Sequence, residues 1–130
     1  MNIKYFFSIL FILLSCNDSK NIDTNLLNGY WMIENVSREN EVFRLDNTTL
    51  VDFYKIKDYS GWRTKVKPLI DNSFRTSNNK VFVKIIKNEE KISLAIKTPW
   101  DNWEEELLKL DSISLILKIE DKIFRYIKIR

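Results

Sequence analysis

The chain has 130 residues, which suits one domain and excludes two of ordinary size. Its 21 basic and 18 acidic side chains leave a net charge of +3, spread along the chain, so no clustered basic footprint for nucleic acid exists. Histidine is absent, which removes the commonest general base and metal ligand and with them any ordinary Ser-His-Asp arrangement.

The N-terminus carries one positive charge, Lys4, followed by an apolar run from Tyr5 to Leu14. That run is too short for a membrane span of roughly 20 residues. It fits the apolar region of a secretory signal, about 7–15 residues long. The only cysteine, Cys16, follows directly. Leu13-Leu14-Ser15-Cys16 resembles the lipobox of bacterial lipoproteins. The resemblance implies a diacylglyceryl group on the Cys16 thiol, cleavage before it, and acylation of the new amine by a fatty acid such as palmitate. A thioether would also leave no reactive thiol on an exported protein, and two or more acyl chains make anchoring stable. Asn17, where inner-membrane lipoproteins commonly carry Asp, points toward the outer membrane of a Gram-negative cell envelope. Residues 1–15 then form the signal peptide. Residues 16–25 form the lipidated cysteine and a flexible tether, with one large apolar residue, Ile22.

From residue 26 on, β-branched and aromatic residues dominate and alanine occurs once, at Ala95. That composition favours strands. With two glycines and two prolines in the whole chain, turns must rely on Asn, Asp and Ser. In chain order, the predicted strands cover 30–36, 41–45, 49–56, 62–67 and 73–76, then 80–86, 92–96, 105–110, 112–119 and 123–130. The clearest alternation sets Ile92, Leu94 and Ile96 against Lys91, Ser93 and Lys97, and Leu115, Leu117 and Ile119 against Ser114 and Lys118. Asp101 offers an N-cap for one helical turn at the start of WDNWEEELLKL. Short turns at 87–91 and 120–122 imply hairpins, hence an antiparallel sheet. An open sheet of this size would expose two apolar edges, and closure removes them. The expectation is an all-β, small antiparallel up-and-down barrel of about eight strands over residues 26–130.

Gly29-Tyr30-Trp31 matches the Gly-x-Trp opening of the first lipocalin strand, and the chain ends on a basic, aromatic strand, IFRYIKIR. Residues 26–130 resemble the short lipocalin-like domains of bacterial lipoproteins. The resemblance implies that Trp31 packs at the closed end of the barrel beneath an arginine of the last strand, either Arg125 or Arg130. It departs from the family in two ways. No second cysteine is present, and Arg125 and Tyr126 are adjacent where fatty-acid-binding relatives use Arg-x-Tyr. Adjacent residues face opposite sides of a strand, against a carboxylate site of that type.

The candidate contact residues are aromatic. Trp100 and Trp103 flank Asp101 and Asn102 and suit a ligand mouth or a partner surface, or a loop capping the barrel. Trp62, with Tyr54 and Tyr59, suits cavity lining or core packing. Glu104, Glu105 and Glu106 are consecutive and suit solvent more than paired acid–base work. No metal site and no cofactor site stands out. The expected function is a membrane-anchored, non-catalytic domain binding a small apolar ligand or an envelope protein. The alternative is an assembly protein that docks a partner through its outer surface. A barrel interior filled by side chains would leave no room for a small ligand there.

Overall fold

The computed structural model describes residues 21–44, 51–77 and 79–130. The expectations for Cys16, the signal peptide and the tether up to residue 20 lie outside these residues.

Ten strands follow one another: β1 (Gly29–Arg38), β2 (Glu41–Arg44), β3 (Val51–Lys57), β4 (Ser60–Pro68), β5 (Phe74–Thr76), β6 (Val81–Lys87), β7 (Ile92–Lys97), β8 (Asn102–Leu110), β9 (Ser114–Ile119) and β10 (Lys122–Lys128). The described pairings are all antiparallel. Eight strands, β1-β3-β4-β6-β7-β8-β9-β10, close into a barrel when β10 pairs back on β1. β2 and β5 are short companions of the far ends of β1 and β4. Closure leaves the sheet without two long edges, as expected for an all-β chain of this length.

Alternation decides what is inside. Trp31, Tyr54, Ile56, Val83, Ile85, Ile92, Leu94, Ile96, Leu107, Leu115 and Leu117 are buried in one cluster, and the cross-strand register places them on one face. Leu107 and Leu110 are three residues apart, a spacing that strict alternation would split between faces. A bulge between Leu107 and Lys109 brings both inward. The predicted helical turn at residue 101 does not form. Asn102–Leu110 is strand throughout, because pairing with both β7 and β9 satisfies its backbone. Asp101 instead helps close the tight turn between β7 and β8, its carbonyl accepting from the Thr98 N–H at 2.8 Å.

With few glycines, several turns place side-chain-bearing residues at positive φ: Glu39, Asp58, Tyr59, Asn72 and Glu120. Each such residue costs roughly 1–2 kcal/mol of backbone strain, which the flanking ladders offset. Gly61 admits no side chain, since an added Cβ would sit 1.9 Å from the Lys55 carbonyl oxygen. The β3–β4 hairpin therefore requires glycine there.

The closed end is plugged by a 3₁₀ turn, Thr24–Leu27, capped by the Asp23 carboxylate. Leu27 is fully buried, and Ile22 and Leu26 pack on the core. The Asn28 amide pairs with both the N–H and the carbonyl of Ile56. The chain is thus fastened from Ile22 on, which shortens the expected tether of residues 16–25 at its C-terminal side.

Candidate functional site

Gly29 and Trp31 occupy the closed end. Gly29 has φ +122°, and a Cβ there would meet the Arg130 carbonyl oxygen at 2.6 Å. Only glycine lets the last residue of the chain approach this closely. Trp31 is fully buried and donates its indole N–H to the Leu27 carbonyl at 2.8 Å. The cation over its ring is Lys128, with Nζ 5.2 Å from the ring centre, and not Arg125 or Arg130. Register explains the correction. Lys128 lies directly opposite Trp31 in the β1–β10 ladder. Arg125 has the opposite parity and donates to the Ser37 hydroxyl at 3.0 Å. Arg130 lies beyond the end of β10, donates to the Asn72 carbonyl and sits over the Phe74 ring at 5.0 Å. Lys128 also donates to the Asn28 carbonyl at 2.7 Å, so it ties the plug to the barrel as well as covering the indole.

The lumen holds a polar layer. Arg63 on β4 and Glu105 on β8 are separated by β6 and β7 around the wall, and their side chains meet across the interior. The pair is bidentate, at 2.8 and 3.1 Å. Their side chains are 13% and 3% exposed. The same guanidinium donates to the Tyr54 hydroxyl at 3.0 Å, and the Trp103 indole donates to Glu105 at 2.8 Å. Closer to the mouth, Asp52 takes the ammonium of exposed Lys65 at 2.8 Å. Burial works against the Arg63 charge, but the neighbouring Tyr54 and Glu105 outweigh it and hold the guanidinium firmly protonated. This bridge fills the section of lumen between β4 and β8 with protein groups.

Burial pushes the Tyr54 phenol well above its ordinary range, against the opposing pull of Arg63. Tyr126 is raised in the same way, by burial first and then by Tyr54 and Asp52. Folded phenols that hold protons more tightly than unfolded ones stabilise the fold fully below the unfolded value of 10.0 and lose that stabilisation as pH rises through it. The expected loss is about 1.4 kcal/mol per pH unit for each tyrosine. Urea midpoints measured at about pH 8 and about pH 11 should show the fall, and Tyr54→Phe should reduce its slope.

The three candidate tryptophans are not brought to one pocket mouth. Trp103 faces the lumen in the Glu105 network. Trp100 stands at the β7–β8 turn and is 90% exposed. Trp62 lies on the outer face of β4, beside Phe53 and opposite Phe82, with Lys80 Nζ 4.1 Å from its ring centre. The outer face carries two hollows that meet at Trp62. The larger, about 740 Å³, crosses β4, β6, β7 and β8. Its side chains include Trp62, Phe82, Ala95, Lys84, Lys97 and Glu104, and the sheet itself, at Gly61, Val83, Ile96 and Trp103, forms the floor. Of the consecutive carboxylates, only Glu105 points inward, so no acid–base pair forms among them.

Sequence reasoning missed Arg63, Glu105, Phe82 and Lys128. The shared parity of Trp103, Glu105 and Leu107 was the available signal for Glu105.

No protein-family model matches the chain, and no curated protein matches it. Among solved structures, the chain is similar to a lipocalin-like protein from Bacteroides uniformis, with a TM-score of 0.50 and 15% identity over 80% of this chain and 99% of that one. An uncharacterized protein from Bacteroides eggerthii aligns with a TM-score of 0.49 and 10% identity over 79% and 99% of the two chains. At such identities the likeness is one of fold, and in fold the chain is a closed, eight-stranded, lipocalin-like barrel.

Proposed function

We propose that this protein is a non-catalytic binding domain held at the cell envelope by lipid on Cys16, and that its small apolar ligand sits in the outer groove rather than in the lumen. The observation that carries the reading is the groove itself. Its volume of about 740 Å³ falls within the ~300–1,000 Å³ usual for small-molecule sites. Phe82 is 70% exposed there, beside Trp62, on a face where solvent normally selects polar residues. Lys84 and Lys97 at the rim favour a ligand whose apolar body ends in an anionic group. The Arg63–Glu105 bridge argues against a ligand deep in the lumen, because reaching the section between β4 and β8 would have to part a buried ion pair. Among the described residues no helix is long and apolar enough to cross a membrane.

The test is a fluorescence titration with 1-anilinonaphthalene-8-sulfonate, an apolar body bearing one anion. Phe82→Ala should weaken binding by roughly thirtyfold, the worth of about 2 kcal/mol for an aromatic anchor. The exposed position makes the fold indifferent to the change. Equal affinity of variant and parent would remove the groove from consideration.

Trp100 supports a second reading, docking of an envelope protein. The Thr98 hydroxyl accepts from the N–H groups of Trp100 and Asp101 at 3.2 and 2.9 Å, so a closed turn holds the indole in solvent. A stoichiometric partner recovered from solubilised membranes, and lost with Trp100→Ala, would favour this reading.

A further inference from the structure

We infer that the second outer hollow, of about 400 Å³, is a binding site for an acidic saccharide. It lies where β4 exchanges one partner for another: Ser60–Arg63 pair with β6, and Val66–Pro68 pair with β5. Thr64 sits at this split, with its hydroxyl 3.4 Å from Ser77 and from the Asn79 carbonyl.

The lining holds a row of rings. Tyr30 and Phe53 have centroids 4.5 Å apart, and Phe53 and Trp62 are 5.5 Å apart. Phe74, outside the lining, stacks on Tyr30 at 4.2 Å and 14° and holds that ring in place by covering one of its faces. Of the lining residues, Lys80 is the cation, with its Nζ over the Trp62 ring. Thr64, directly beside Phe53 in the β3–β4 ladder, adds a hydroxyl to the lining, as do Thr76 and Ser77. A pyranose ring suits these two kinds of surface. Its axial C–H groups carry slight positive charge and rest on the negative face of an aromatic ring, while its rim of hydroxyls both donates and accepts. A purely apolar ligand would leave the three hydroxyls facing carbon.

Thr64 supplies an independent indication. It is 2% exposed, yet among the described residues its hydroxyl finds only three contacts, with the Ser77 carbonyl, the Ser77 hydroxyl and the Asn79 carbonyl, each at 3.4 Å. A satisfied O–H···O bond is nearer 2.7–2.8 Å. A buried hydroxyl this weakly engaged is free to re-form its bonds with a sugar hydroxyl entering the hollow. The Lys80 ammonium above the indole selects a sugar bearing a carboxylate, since an anion placed there gains a charge-assisted partner.

This hollow shares Trp62 with the groove of Phe82 but takes its other lining from different residues, and is tested separately. The full-length protein in detergent micelles is titrated with hyaluronan tetrasaccharide, which alternates glucuronate with N-acetylglucosamine, and with neutral chitotetraose. Binding is read by calorimetry and by tryptophan emission. The acidic probe is expected to saturate with a dissociation constant near 1 mM or below, at least about tenfold tighter than the neutral one. Thr76→Val, at an exposed position, and Lys80→Met should each weaken it by about fivefold, the worth of one hydrogen bond. Phe82→Ala should leave it unchanged. Absence of saturation up to about 10 mM, equal binding of the two probes, or wild-type affinity in both variants would overturn the assignment. So would adsorption to phosphatidylglycerol vesicles with no response to either sugar.

Discussion

Glu105→Ala is expected to lower the free energy of unfolding by about 3–5 kcal/mol, a large share of the ~5–15 kcal/mol that holds a domain of this kind together. The reason is what the substitution leaves behind. Arg63 is only 13% exposed and its guanidinium cannot shed its proton, so an uncompensated cation would remain in the lumen. The Trp103 indole N–H would lose its acceptor as well. Replacing both partners together, Arg63→Met with Glu105→Leu, should recover most of the loss. A buried ion pair and a well-packed apolar pair of similar volume are close in free energy, because desolvating two charges consumes most of their attraction. Urea denaturation of the parent, both single variants and the double variant forms a cycle that isolates the pair. An unchanged slope against denaturant would show that the native and unfolded ensembles kept their compactness. A loss under about 1 kcal/mol for Glu105→Ala would mean that water reaches the bridge, and the section of lumen between β4 and β8 could then no longer be regarded as dry. The prediction therefore also bears on where a ligand can sit, since the bridge is what closes the section of interior between β4 and β8.

The strands were legible because their pattern is local. Ile92, Leu94 and Ile96 show alternation within five residues, and the structure places all three inside. The order of the barrel followed from short turns between neighbours. What was not legible depended on register between distant segments. Glu105 reads as one of three solvated acids until β8 is laid beside β7, when it takes the inner position opposite Leu94. Its partner Arg63 is 42 residues away, so no window along the chain contains the pair. The cation over Trp31 was misplaced for the same reason. The last strand offers Arg125, Lys128 and Arg130 as candidates, and only pairing selects Lys128. The sequence suits Trp62 to a cavity or the core, while its register puts it on the outer face opposite Phe82. The helical turn at Asp101 failed because a capping residue is a weak preference, and two paired edges override it. Gly29 is legible by motif alone, and its physical cause, the close approach of Arg130, needs β1 and the residues after β10 side by side.

Trp31→Ala should cost about 3–5 kcal/mol through the cavity it leaves, and its effect should concentrate at the closed end. Three contacts converge on this side chain. It is fully buried, its N–H holds the Leu27 carbonyl at 2.8 Å, and Lys128 covers its ring while bonding the Asn28 carbonyl. Removing the indole frees the plug, Thr24–Leu27, from one of the groups that fasten it. Trp31→Phe separates the two contributions. It keeps a ring for packing and for Lys128 but leaves the Leu27 carbonyl without its donor, at a cost of about 1–3 kcal/mol. Lys128→Met should be milder, about 0.5–2 kcal/mol, since the indole remains and the apolar stem is preserved. Thermal unfolding gives the order of the three. Amide hydrogen exchange gives the location, because the Asn28 N–H bonds within the 3₁₀ turn and should exchange faster in Trp31→Phe while the β6–β7 amides keep their protection. Uniform loss of protection in Trp31→Phe would show that the plug and the barrel unfold as a single unit. The Gly-x-Trp pair would then serve global cohesion rather than closing one end.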